Sequence, residues 1–201
     1  MTADTATSPP GTLVLASTSP YRKALLERLG LAFGTLSPAV DESPLAGETP
    51  EHLVRRLAEA KARAGAARFP DALIIGSDQV AVCGATVLGK PGDHASAVEQ
   101  LASLSGRRVN FLTGLCLYDA RSDRARVDMV SFEVVFRELA AGQIERYLRR
   151  EQPYNCAGSF KSEGLGISLF EALHGDDPNA LIGLPLIRLV SWLNDAGIAV
   201  P

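Results

Sequence analysis

The chain has 201 residues, 46% of them hydrophobic, enough for one sizeable core built as a single α/β domain or as two small lobes around a cleft. Its 20 Lys and Arg against 23 Asp and Glu leave a formal charge of -3, so no global field draws in a nucleic acid polymer or an anionic membrane, and any phosphate binding must be local. Cys83, Cys116 and Cys156 lack C-x-x-C spacing and His52, His94 and His174 are equally scattered, which argues against a zinc centre and against serine or cysteine hydrolase triads, and for core thiols in a reducing, cytoplasmic setting.

Met1 to Gly11 has neither a basic start nor an apolar run and reads as a disordered tail, not a signal peptide. Leu13-Val14-Leu15-Ala16 predicts a short buried strand. A helix follows with Ser19 as N-cap and Pro20 at its first position, running to Gly30 with Leu25, Leu26 and Leu29 inward. The spacing of Leu53, Val54 and Leu57 predicts a second helix from Pro50 to about Ala67. Leu73 to Ile75 is the next strand, which Val80 to Cys83 can continue past a polar interruption. Asp93 to Ser103 carries a helix with Ala95, Val98 and Leu101 inward. Val109 to Tyr118 and Val127 to Phe136 read as an antiparallel pair joined around Arg121-Ser122-Asp123. A helix from about Ala140 to Arg150, a Gly-rich loop from Gly158 to Gly166 and a closing helix from about Pro185 to Ala196 complete the pattern. No apolar run is long enough to span a bilayer, and no repeat or linker divides the chain. The expectation is therefore a mixed α/β fold with a curved sheet, and residues 12–201 as one domain.

Several segments carry chemistry. In Ile74-Ile75-Gly76-Ser77-Asp78-Gln79 an apolar strand delivers a carboxylate and an amide into a loop at its carboxyl end, where α/β folds place ligands. A turn Asp bonding its own backbone is the alternative that Gly76-Ser77 also permits. Gly84 to Pro91 nearly spells a phosphate-binding P-loop, but Pro91 stands where the magnesium-holding hydroxyl belongs and removes a backbone N–H. Gly164-Leu165-Gly166 lacks the third glycine of a dinucleotide fingerprint. Lys90, held in a stiff turn between Gly89 and Pro91, suits a phosphate contact. Ser17-Thr18-Ser19-Pro20 joins three hydroxyls to a helix N-terminus with Arg22 in its first turn, which makes an anion site. A capped helix with a surface arginine explains Ser19 and Pro20 equally well but leaves Ser17 and Arg22 without a use. Val40-Asp41-Glu42 is either a solvated turn or, with Asp78, a carboxylate set for a hard divalent cation.

In this order the segments Leu15 to Arg22, Val40-Asp41-Glu42, Arg56-Leu57-Ala58 with Lys61, Ile75 to Gln79, Gly89-Lys90-Pro91, Ala157 to Gly164 and Gly183 to Leu186 resemble the Maf family of nucleoside triphosphate pyrophosphatases. The resemblance spans nearly the whole chain after the N-terminal tail. Tyr21, Gln79 and Glu163 stand where the dTTP and UTP branch carries Arg, Thr and Gln, and follow instead the pattern of the 7-methyl-GTP pyrophosphatase branch. The resemblance implies a fold similar to inosine triphosphate pyrophosphatase with a central cleft, a divalent magnesium or manganese ion, a nucleoside triphosphate substrate and a homodimer. Its catalytic residues map to Asp78, Glu42, Lys61 and Lys90. Ser17 and Arg22 join Lys61 and Lys90 on the triphosphate, Glu42 and Asp78 hold the metal, and Asp78 accepts the proton of the attacking water. A cationic 7-methylguanine would stack on Tyr21, Glu163 would accept from its N1–H and amine, and Gln79 would serve either edge. Simple packing of Tyr21 stays open. So do a dTTP/UTP pyrophosphatase and, in a different class, a nucleotide-binding regulator of septum formation with little turnover.

Overall fold

A computed structural model describes residues 12–200 of the chain; the expected N-terminal tail lies outside the described residues. Strand β1 (Leu13–Ala16) sits between β2 (Phe33–Leu36) and β3 (Leu73–Cys83) and is parallel to both. β3 then pairs antiparallel with β5 (Arg108–Asp119), β5 with β6 (Arg124–Phe136) and β6 with β7 (Phe170–His174), while β4 (Thr86–Leu88) folds back on β3. The result is a seven-stranded mixed sheet of order β2-β1-β3-β5-β6-β7, as the mixed α/β expectation required. The helices are α1 (Pro20–Glu27), α2 (Pro50–Arg63), α3 (His94–Leu104), α4 (Ala141–Glu151), α5 (Pro178–Ile182) and α6 (Leu186–Asp195).

Local chemistry accounts for most of the boundaries. Ser19 caps α1 by accepting from the Arg22 amide at 3.4 Å, with Pro20 at the first position. α1 is shorter than expected, because Arg28 to Gly30 close it in a turn that bonds three residues back. α2 is capped by Thr49 and stops at Arg63, not near Ala67, for the same reason: the Gly65 and Ala66 amides bond to Ala62 and Arg63. In α3 the inward residues are Ala97, Leu101 and Leu104, with Val98 partly buried, while Ala95 is exposed. The loop from Gly158 to Gly166 is tighter than its glycines suggest, since short 3-10 turns occupy Ala157–Ser159 and Leu165–Leu169.

The largest correction concerns Asp78. β3 does not end before it: residues Leu73 to Val82 pair without interruption with Asp119 to Asn110, whereas β1 accompanies β3 only as far as Ile75. Asp78 and Gln79 therefore stand inside a strand, not in a loop. They are tolerated there because β3 outruns β1, and the space past the end of β1 is open. The self-bonded turn is excluded by the same ladder.

Two glycines let a helix lie directly on this part of the sheet. A Cβ on Gly76 would sit 2.0 Å from the Ala58 carbonyl oxygen, and one on Gly114, the β5 partner of Asp78, would sit 2.1 Å from that of Val54. α2 thus rests against bare backbone, with Ala58 and Ala62 buried alongside Val14, Ile74 and Cys116. The opposite face buries Leu15, Leu25, Ile75, Leu184 and Leu189. Beyond them a third cluster gathers Phe111, Phe136 and Phe170 edge-to-face around Phe160, at centroid distances of 4.8 to 5.6 Å. Phe160 thereby anchors the segment that carries Lys161 and Glu163.

Candidate active site

A cleft of about 440 Å³ opens past the end of β1, and all nine residues singled out from the sequence line it. Its floor is an ion cluster. Lys61, only 6% exposed, comes from α2 and places Nζ 2.6 Å from Asp78 Oδ1 and 2.7 Å from Glu42 Oε1. Asp78 is buried and Glu42 exposed, so one ammonium joins a sunken carboxylate to one at the rim. Lys61 thus spends two of its three N–H donors on the two carboxylates, which leaves the third for the triphosphate contact expected of this catalytic candidate. Burying an ammonium is tolerable only when paired, and here two partners do it.

Glu42 is delivered by a tied loop. Arg56 donates to both oxygens of Glu48 at 2.6 and 2.8 Å and to the Ser43 carbonyl at 3.0 Å, while Asp41 accepts from the Ser43 amide at 2.9 Å. The Asp-Glu pair thus divides its labour: Asp41 shapes the turn and Glu42 reaches the cleft. Hydrogen bonding from Arg56 above all holds the Glu48 carboxyl down at about 2, from an ordinary 4.5. A depressed folded-state value means the contribution is complete above the unfolded value and lost as pH falls through the folded one. The tie is accordingly expected to hold above about pH 4.5 and to release toward about pH 2, which a carboxyl-carbon NMR titration of Glu48 would follow.

Asp78 Oδ2 and Glu42 Oε2 accept no hydrogen bond among the described residues. Two carboxylates with open oxygens beside a phosphate-binding rim suit a hard divalent cation, which takes one or two carboxylates and fills its remaining positions with substrate oxygens and water. Among the described residues no group of three or more His, Cys, Asp or Glu could hold an ion by itself. The residues therefore fit a metal that binds together with its substrate.

The rim at α1 is built from partners that sequence spacing could not supply. Ser17 Oγ accepts from the Ser19 amide at 3.1 Å, which leaves its own O–H to donate into the cleft. Arg22 Nε donates to the Gly183 carbonyl at 2.8 Å, so the guanidinium is fixed from the far end of the chain. Both residues thus have structural employment that the simple capped-helix reading lacked, and both still face the cleft. Burial pulls the Arg22 pKa down while Asp78 and Glu42 oppose it; the guanidinium stays charged at neutral pH. Lys90 also lines the cleft, exposed and without an ion pair among the described residues.

Tyr21, on the same turn of α1, lines the cleft half-buried, its hydroxyl 3.8 Å from Cys156 Sγ, and burial raises its pKa. Gln79 is more constrained than expected. Its amide nitrogen lies 2.8 and 3.1 Å from the Ala180 and Leu181 carbonyls and 2.9 Å from Thr113 Oγ1. Two carbonyl neighbours require the N–H side there, so only the Gln79 oxygen can meet a ligand, and the residue serves one edge as an acceptor. Glu163 is exposed at the rim and accepts from Ser162 Oγ at 3.3 Å.

The core-thiol expectation holds for Cys83 and Cys116 but not for Cys156, which is partly exposed and lines the cleft, and the sequence marked no role for Lys161 or Ser77. Lys161 lines the cleft with Nζ 3.2 Å from the Glu151 carbonyl and 3.5 Å from its carboxylate. Burial would lower the lysine pKa, yet the charges of Tyr21 and Glu151 and the Glu151 hydrogen bond leave it raised. Ser77 Oγ lies 2.8 Å from the Gly114 carbonyl and 2.9 Å from that of Gly183, locking β3 to β5 and to the loop before α6. Lys161 was visible only as a neighbour of Glu163 in the Ala157 to Gly164 segment; nothing periodic marks it.

Among the described residues no helix is long and apolar enough to cross a membrane. A family model for Maf-like proteins matches residues 12–196. A curated protein of Nitrosococcus oceani named 7-methyl-GTP pyrophosphatase is 58% identical over 191 residues, covering 95% of this chain and 96% of its own. Proteins of the same name from Methylobacillus flagellatus and Pseudomonas putida are each 56% identical, over 94% of this chain and 98% of theirs.

Proposed function

The chain belongs to the Maf family, and from that premise we propose that it is a nucleoside triphosphate pyrophosphatase, a hydrolase that splits the α–β phosphate bond of 7-methyl-GTP into 7-methyl-GMP and pyrophosphate. The observation that carries the reading is the Asp78–Lys61–Glu42 cluster on the floor of a cleft rimmed by Ser17, Arg22 and Lys90. Hydrolysis of a phosphoanhydride asks a protein for charge neutralisation and for alignment of a water, and little else.

In this reading Ser17, Arg22 and Lys90 hold the triphosphate. Asp78 orients the attacking water through its open oxygen and accepts its proton. Lys61 fixes both carboxylates in place, a positioning that the buried 2.6 Å contact supports. Glu42 and Asp78 would hold a divalent ion, which would supply neutralisation of phosphate charge and acidification of water. Tyr21 stacks on the cationic base, a contact of about 0.5 to 2 kcal/mol, Glu163 accepts from the N1–H and the amine, and the Gln79 oxygen accepts a further donor. The reading also takes Mg²⁺ or Mn²⁺ as the ion, a homodimer as the assembly, the cytoplasm as the compartment, and residues 12–201 as one domain.

The test is turnover by the purified protein with Mg²⁺ or Mn²⁺ on 7-methyl-GTP, GTP, dTTP and UTP, with products identified. Release of pyrophosphate and 7-methyl-GMP, with the largest kcat/KM for 7-methyl-GTP, is the expected result. Binding with no pyrophosphate from any nucleotide would hand the protein to the regulatory class.

Glu163→Gln keeps the shape of the side chain but replaces an acceptor-only group with one that must also present donors. Because Glu163 is exposed, the loss of kcat/KM for 7-methyl-GTP and GTP is expected near the lower end for a charge-assisted contact, about tenfold. UTP should change by less than about threefold, since its uracil edge does not offer the same pair of donors. An equal decline for all three would reduce Glu163 to a loop-shaping residue.

A further inference from the structure

Glu151 does not line the cleft, yet it grips the loop that closes one end of it. Its Oε2 accepts from the Leu165 amide at 2.8 Å, its Oε1 lies 3.5 Å from Lys161 Nζ, and its carbonyl accepts from the same ammonium at 3.2 Å. Room for the carboxylate is reserved: a Cβ on Gly164 would lie 2.7 Å from Glu151 Oε2. Both side chains are largely withdrawn from solvent, 15% exposed for Glu151 and 22% for Lys161, so their charges act at short range with little screening.

Stapling the loop does not require this charge. Glu151 is the last residue of α4, at the negative end of the helix dipole, where a carboxylate is disfavoured and Arg149 and Arg150 are the complementary neighbours. A neutral Gln would still accept from the Leu165 amide at that position, though without charge assistance. What the carboxylate adds is compensation of Lys161, which lines the cleft beside Tyr21 and Glu163.

We propose that Glu151 is a positioning residue for specificity, which neutralises Lys161 so that this end of the cleft meets a cationic purine with one positive charge fewer and Glu163 uncompensated by its neighbour. The inference rests on the reading of the Tyr21 and Glu163 end as the base site. Among these three side chains Lys161 at +1, Glu151 at -1 and Glu163 at -1 sum to -1, and without Glu151 to 0; the charge of Lys90, which also reaches Cys156, is the same in both cases, so the difference of one unit is what a singly positive 7-methylguanine senses. GTP has the same shape apart from the methyl group and carries a neutral base, so the ratio of the two ligands reports the local charge.

The experiment is isothermal titration with 7-methyl-GMP and GMP, at a pH low enough to keep N1 of the methylated base protonated. Titrated are the full-length protein, Glu151→Gln, Lys161→Met and the double variant. Glu151→Gln is expected to lower the preference for 7-methyl-GMP over GMP by about fivefold, the scale of one charge near a partly screened site. Lys161→Met should raise it by a similar factor, and the double variant should return close to wild type, because Glu163 alone then restores -1. Equal weakening of both ligands in Glu151→Gln, or an unchanged ratio in Lys161→Met, overturns the proposal and leaves Glu151 a loop staple. Should Glu151→Gln fail to fold, Lys161→Met decides alone. A wild-type protein indifferent to methylation would instead overturn the substrate reading, while the shift of the ratio between variants would still decide this one.

Discussion

Asp78→Asn is expected to lower kcat by about 10³-fold while the protein stays folded, within the range lost when a positioned proton acceptor is removed. The side chain keeps its shape, and its remaining oxygen can still accept from Lys61 Nζ, now at 2.6 Å from Oδ1. What disappears is the charge and the basic oxygen that no protein group occupies. Lys61 retains Glu42 at 2.7 Å, so the variant does not orphan a buried ammonium, and destabilisation should stay below the about 3 to 5 kcal/mol typical of that case. Steady-state turnover of 7-methyl-GTP, nucleotide binding by titration and a urea unfolding curve together check the result. Activity within about tenfold of wild type would remove Asp78 from the chemistry.

Gly76→Ala should be nearly as damaging to turnover, but by a different route, through the position of a helix. The added carbon would lie 2.0 Å from the Ala58 carbonyl oxygen and 2.8 Å from the Ala62 amide nitrogen, both backbone atoms in the C-terminal half of α2. A side chain could rotate away; helix backbone cannot. α2 must then lift from the sheet, which costs about 3 kcal/mol or more of packing and carries Lys61 with it. A displacement of the order of 1 Å at a catalytic constellation lowers rate by about 10². Gly34→Ala is the control: its new carbon would stand 3.9 Å from Val14, an ordinary contact, and stability should change by less than about 1 kcal/mol. If Gly76→Ala unfolds at the wild-type urea midpoint with unchanged kcat, the close seating of α2 is not what places Lys61.

Both predictions turn on neighbours that are remote in sequence, which is where reading the chain alone reached its limit. α1, α2, α3, α4, α6 and the β5–β6 hairpin were legible because each has its own period or cap, such as the alternation of Phe132, Val134 and Phe136 or the Ser19-Pro20 start of α1, and β1 because its four residues are an unbroken apolar run just before that start. β2, β4, β7 and α5 were not. They are three to five residues long, too short for a period to register, and the strands among them exist because a partner strand completes their hydrogen bonds. The continuity of β3 through Asp78 was missed for a related reason: polar residues interrupt its apolar run, and only the unbroken pairing with β5 shows that the strand goes on.

By itself the sequence determined which chemical groups are available and in what order, and that was enough to place all nine candidate residues in one cleft and to mark the family. The tertiary structure alone decided which of those groups remain free to act. Two of the three Lys61 donors are spent on carboxylates, the nitrogen of Gln79 on carbonyls 101 and 102 residues away, and one nitrogen of Arg22 on a carbonyl 161 residues away. Residue type sets how many donors and acceptors a side chain owns, but how many are left for a ligand depends on the backbone that folding brings within about 3 Å of it.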